Sequence, residues 1–134
     1  MVSREDLESF LVRLGAEGAS YSEVEPGMFV VRPGGTPDAQ VVCHLTPPVL
    51  LLRMNVMAVP ENAEAAAKLS RRLLELNATD LVHGAYGIAG NDIILTEALE
   101  LANLDFSEFL AAYESMTLAL ASHVRELALF REVH

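Results

Sequence analysis

The stretch "HGAYGIAGND", His83 to Asp92, places three glycines at a spacing of three near the middle of a 134-residue chain. A dinucleotide-binding loop needs G-x-G-x-x-G straight after a strand and opening a helix, because the helix N-terminus holds the pyrophosphate. Here the spacing is Gly84-x-x-Gly87-x-x-Gly90, and the strand-like "NDIILTEAL" follows. A P-loop needs Gly-Lys-Ser/Thr, and no lysine lies nearby. The local charge is also negative, which repels phosphate. The pattern instead predicts a hairpin: strand "HGAYGIA", a turn at Gly90-Asn91, then strand "DIILTEAL". Gly84 and Gly87 are expected to mark a close approach of another backbone or helix, or a bulge.

On either side of this hairpin the period changes from two to that of a helix. Upstream, "ENAEAAAKLSRRLLELN" follows Pro60 and reads as a helix capped by Asn62. Its expected buried stripe is Ala66, Leu69, Leu73 and Leu76. Downstream, a helix is predicted to start near Asp105, where Asp105 and Glu108 have the spacing of a capping box, and to continue to Phe130. Phe106, Phe109, Leu110, Tyr113, Met116, Leu120, Val124 and Leu127 form its stripe. Leu118, Leu129 and Phe130 widen that stripe beyond one narrow face. A helix so long and so broadly apolar is expected to pack on its own sheet and on something else as well.

The N-terminal half begins with a helix capped by Ser3, with Leu7, Phe10, Leu11 and Leu14 at helical spacing and Gly15 or Gly18 at its end. Strands follow. "ASYSEVEPGMFVVRPGG" alternates about a Pro26-Gly27 turn and stops at "PGGTPD". "AQVVCHLT" and "VLLLRMNVMAV" are aliphatic and β-branched, and Pro47-Pro48 marks the boundary between them. The element order is therefore α-β(3-4)-α-β-β-α. Grouped strands give an α+β fold, an antiparallel sheet with helices packed on it, in a single domain over residues 1–134.

Composition narrows the function classes. Half of the residues (51%) are hydrophobic, enough for a core, while 19 Asp+Glu against 9 Lys+Arg give a formal charge of -10. That charge argues against nucleic acid or an anionic membrane as partner. No Lys or Arg lies between Arg72 and Arg125, an interval that holds eight acidic residues from Glu75 to Glu114. It reads either as a solvated surface or as a negative face for a basic partner segment. A single cysteine, Cys43, excludes an internal disulfide and suits the reducing cytoplasm. The polar N-terminus has no signal-peptide core, and the most apolar run is broken by His44, Pro47, Pro48, Arg53 and Asn55.

No catalytic or metal constellation is legible. His44, His83, His123 and His134 have no ligand spacing, and Cys43 and His44, adjacent on a strand, point to opposite faces. Each histidine reads as structural or superficial, and Cys43 as a small buried hydrophobe. Glu97 and Glu100, near a strand end, are a carboxylate pair that could serve as acid and base if they or His83 converged in a pocket, although such pairs arise by chance in an acidic protein. The expectation is no enzyme, no cofactor and no metal.

From Leu73 to Met116 the sequence resembles the YbjN-like family of small bacterial proteins, which has the fold of class I type III secretion chaperones. The carrying pieces are Leu76-Asn77, His83-Gly84-Ala85-Tyr86-Gly87 and Asn103-Leu104-Asp105-Phe106. The resemblance implies a protomer, commonly a homodimer, that binds protein rather than turning over a substrate. It carries no client-binding motif. From the patterning alone, Tyr113, Met116, Leu120 and Val124 on the last helix are the expected dimer or partner interface, with Leu120 the position to test by charge substitution.

Overall fold

The computed structural model describes residues 1–34 and 39–131. The end of the "PGGTPD" stretch and His134 lie outside the described residues. The elements run α1 (Arg4–Gly15), β1 (Ser20–Glu25), β2 (Met28–Arg32), β3 (Val41–Thr46), β4 (Val49–Ala58), α2 (Ala63–Thr79), β5 (Ala85–Ala89), β6 (Asp92–Glu100) and α3 (Phe106–Ala128). The six strands form one antiparallel sheet in the order β1-β2-β3-β4-β6-β5. The α+β order read from the sequence is the order observed.

Local chemistry explains the element boundaries. The Ser3 hydroxyl accepts the Asp6 N–H while the Asp6 carboxylate accepts the Ser3 N–H, closing a capping box at α1. Asn62 accepts the Ala65 N–H at α2, and Asp105 accepts the Glu108 N–H at 2.8 Å at α3. Gly27, at φ 78°, lets β1 turn back on β2 directly after Pro26. At the hairpin Ala89 stands opposite Asp92 across Gly90-Asn91, as the two-residue loop requires.

The chain gathers into two compact units: Met1–Met54 with Glu97–Ala111, and Asn55–Thr96 with Ala112–His134. In the first, Leu7, Leu11 and Leu14 of α1 are buried together with Phe29, Val31, Val41, Cys43, Leu50 and Leu52 of the strands. Phe10, half-buried, meets Phe106 and Phe109 at centroid distances of 5.8 and 5.6 Å, and the Arg13 guanidinium lies 3.8 Å over Phe106. Arg4 joins Glu23 through two donors and Glu8 through a third, fixing α1 to β1. In the second, Ala65, Leu69, Leu73 and Leu76 of α2, Ile93, Ile94 and Leu95 of β6, and Ala112, Met116 and Leu127 of α3 are buried.

Two readings of the helices are corrected. The buried stripe of α2 begins at Ala65, not Ala66, because 65, 69, 73 and 76 lie on one line of the helix. On α3 the buried line runs through Met116 and His123 to Leu127, whereas Val124 is 42% exposed.

Candidate functional site

The second unit holds a closed ring of hydrogen bonds. From α2, Asn77 Oδ1 accepts the Tyr86 N–H at 2.7 Å and Asn77 Nδ2 donates to the Tyr86 carbonyl at 3.2 Å. The Tyr86 hydroxyl lies 2.8 Å from His123 Nδ1 on α3, and His123 Nε2 lies 3.0 Å from Asp80 Oδ2 at the C-cap of α2. With its proton on Nε2, the imidazole donates to Asp80 and accepts from Tyr86, so every polar atom of the ring is satisfied. Four side chains thereby tie α2, β5 and α3 together.

His123 and Tyr86 are each 6% exposed. Burial, aided by the charges of Asp80 and Glu126, pushes the Tyr86 phenol up to about 12. The His123 hydrogen bond, then that from Thr79, holds the Asp80 carboxyl below its usual range. A phenol so raised stays protonated at neutral pH and keeps its proton for His123 Nδ1. Arg72 pairs with Glu126 beside it through two guanidinium donors, half-exposed on both sides.

An apolar groove of about 230 Å³ adjoins the ring, lined by Ser70, Leu73, Leu74, Tyr86, Gly87 and Ile88. Leu74 is 67% and Ile88 56% exposed, so the groove opens outward between α2 and β5. α2 has one more basic than acidic residue, in a chain of net charge -10. It carries Lys68, Arg71 and Arg72 against Glu64 and Glu75, in pairs at 3.2 to 3.6 Å.

The residues singled out from sequence separate. Tyr113 and Met116 are buried at 6% and 0% exposure, Leu120 is half-buried and Val124 is exposed. Glu97 and Glu100, three apart on β6, point to opposite faces and do not form a pair. Cys43 is fully buried, and desolvation pushes its thiol up to about 12, the state of an inert core cysteine. Gly84 is a point of close approach: a Cβ there would stand 3.1 Å from the Thr96 carbonyl and 3.4 Å from Met116 Cγ. Gly87 is not, since nothing lies within 4 Å. The ring itself was missed. Its signals were a histidine at stripe spacing on a long apolar helix and an asparagine at the end of α2, nine residues before a tyrosine. Among the described residues no cluster of three His, Cys, Asp or Glu could hold a metal ion, and no helix is long and apolar enough to cross a membrane.

Three helices and a six-stranded antiparallel sheet make a chaperone-like α+β fold. The chain belongs to the CesT_Tir_1 family, the type III secretion chaperone family, whose model matches residues 2–132. Among solved structures it is similar to the ExoU-SpcU complex from the type III secretion system of Pseudomonas aeruginosa, with a TM-score of 0.69, 11% identity, and coverage of 89% of this chain and 95% of that one. It is similar to YbjN from E. coli (TM-score 0.64, 13% identity, 92% of each chain) and to the ExsC-ExsE complex (TM-score 0.55, 16% identity, 95% and 97%). At these identities the likeness is one of fold. A search of curated proteins gives no match.

Proposed function

We propose that this chain acts in the cytoplasm as a single non-enzymatic chaperone-like domain that holds a protein partner and works as a homodimer. The family supports protein binding, and the neighbours named above include chaperone complexes with protein partners. The observation that carries the dimer is the groove between α2 and β5. It offers exposed Leu74 and Ile88 beside α2, which carries three basic residues against two acidic ones. Two copies of a chain at -10 repel one another, so a self-complementary contact belongs where local charge is near zero and both signs are interleaved. On α3, Leu120 and Val124 remain the residues proposed to extend the contact, while Tyr113 and Met116 support them from the core.

Light scattering across protein concentrations tests the reading, with dimer mass expected for the wild type. Leu74→Glu should shift the population to monomer with an unchanged circular dichroism spectrum, and Leu120→Glu should weaken association to a smaller degree. A wild type that is monomeric throughout overturns the homodimer.

A second reading is a basic peptide docking on the acidic interval between Arg72 and Arg125, favoured by the absence of any Lys or Arg there. Affinity for such a peptide must fall as salt rises, and a salt-independent affinity removes this reading.

A further inference from the structure

β5 is the outermost strand on its side of the sheet, and an edge strand directs one row of backbone groups away from its neighbour. The closing pair of a two-residue hairpin is hydrogen-bonded, here Ala89 with Asp92, and bonded and unbonded pairs alternate from it. Gly87 therefore bonds inward to Ile94, while Tyr86 and Ile88 turn their N–H and C=O groups outward. Asn77 meets the first of these outward sites with both ends of its carboxamide, at 2.7 and 3.2 Å. Those are the two bonds that a residue of an adjoining strand would make. Only Ile88, 56% exposed next to the turn, presents its outward groups to the open edge.

We propose that Asn77 determines how this edge is used. Its carboxamide takes the place of a neighbouring strand at Tyr86, closes β5 to ladder pairing with the β5 of a second copy, and restricts self-association to side-chain packing in the adjacent groove. The occupant, a second copy, rests on the homodimer reading; the closed edge stands on the hydrogen bonds alone. Asn77 is held firmly enough for this role. Its neighbours Leu73 and Leu76 anchor α2 in the core, and the Tyr86–His123–Asp80 bonds return to the same helix three residues further on. An incoming strand would have to displace the carboxamide before pairing, and would then have only two outward residues of β5 to pair with. Short strands blocked in this way resist edge-to-edge association.

The test follows the Tyr86 amide by hydrogen exchange in NMR, with light scattering at matched concentrations, on wild type, Asn77→Ala and Asn77→Asp. In wild type the amide should exchange slowly and equally at every concentration. In Asn77→Ala it should exchange at least about tenfold faster in dilute solution, because its acceptor is gone. As Asn77→Ala is concentrated, protection should return and the mass should rise above that of wild type, as β5 strands pair. Asn77→Asp keeps the acceptor but sets a carboxylate oxygen in place of the donor to the Tyr86 carbonyl, so its Tyr86 amide should exchange faster than wild type and slower than Asn77→Ala, and this variant serves if Asn77→Ala does not fold. A slow amide in folded Asn77→Ala, a wild-type rate in Asn77→Asp, or wild-type protection that grows with concentration each overturns the proposal. A wild type that stays monomeric overturns the homodimer alone; a slow Tyr86 amide in that monomer still supports Asn77 as the closure of the edge.

Discussion

At Gly84 the backbone takes φ 86°, and an added Cβ would stand 3.1 Å from a strand carbonyl that cannot swing away. Three residues on, Gly87 has neither a positive φ nor an atom within 4 Å of the same added carbon. Two glycines of one short motif thus answer to different physics, one to conformation and crowding, the other to neither. Gly84→Ala should cost about 1–3 kcal/mol, the range for a residue forced into left-handed backbone. Gly87→Ala should be neutral or stabilising by about 0.5 kcal/mol through the unfolded chain. Urea unfolding of the two variants checks the contrast, and equal losses would refute it. His123 shows the opposite kind of residue effect. A polar ring occupies a core position because two partners, Tyr86 and Asp80, await it there.

Between elements, the magnitude of each tie follows from its exposure. The Tyr86–His123 bond is buried, so His123→Leu strands the Tyr86 hydroxyl and should cost about 1–3 kcal/mol. The Arg72–Glu126 pair, 37% and 39% exposed at its side chains, bridges the same two helices in water. Glu126→Gln should therefore cost less than about 1 kcal/mol. Chemical denaturation of both variants ranks the ties, and the reverse order would show that the surface pair dominates. In the first unit, Arg4, then the Gly27 N–H, holds the Glu23 carboxyl down from its ordinary 4.5 to about 2. A depressed carboxyl stabilises the fold above its unfolded value and loses that contribution as pH falls through the folded one. Wild type should thus lose stability between about pH 4.5 and about pH 2 through this group, and Glu23→Gln should lose less over the same window. Thermal melts at several pH values read the difference. Parallel curves for the two proteins would remove Glu23 from the acid response.

For the whole molecule, charge decides how association should respond to salt. Each copy carries -10, so a dimer joined through an apolar face forms against long-range repulsion. Screening relieves that repulsion, and the dimer should hold or strengthen as salt rises from low to physiological strength. Sedimentation at several ionic strengths measures this, and weakening with salt would point to contacts between opposite charges instead.

What the sequence determined by itself was everything that depends on neighbours along the chain. The hairpin at Gly90-Asn91, the caps at Ser3, Asn62 and Asp105, the turn at Pro26-Gly27 and the α+β order all rest on periodicity and turn chemistry within a few residues. The stripe of α3 was legible only in outline. Periodicity offers both His123 and Val124 for its last turns, and apolar weighting selects the valine, whereas hydrogen-bond partners on α2 and β5 select the histidine. The pairing of Asn77 with Tyr86 was equally hidden, although both residues stood in the stretch that carried the family resemblance. A polar side chain at a helix end and a backbone group on an edge strand are matched only when folding brings them together. Tertiary structure alone decided which polar groups enter the core, because burying one is stable only where its partners are already in place.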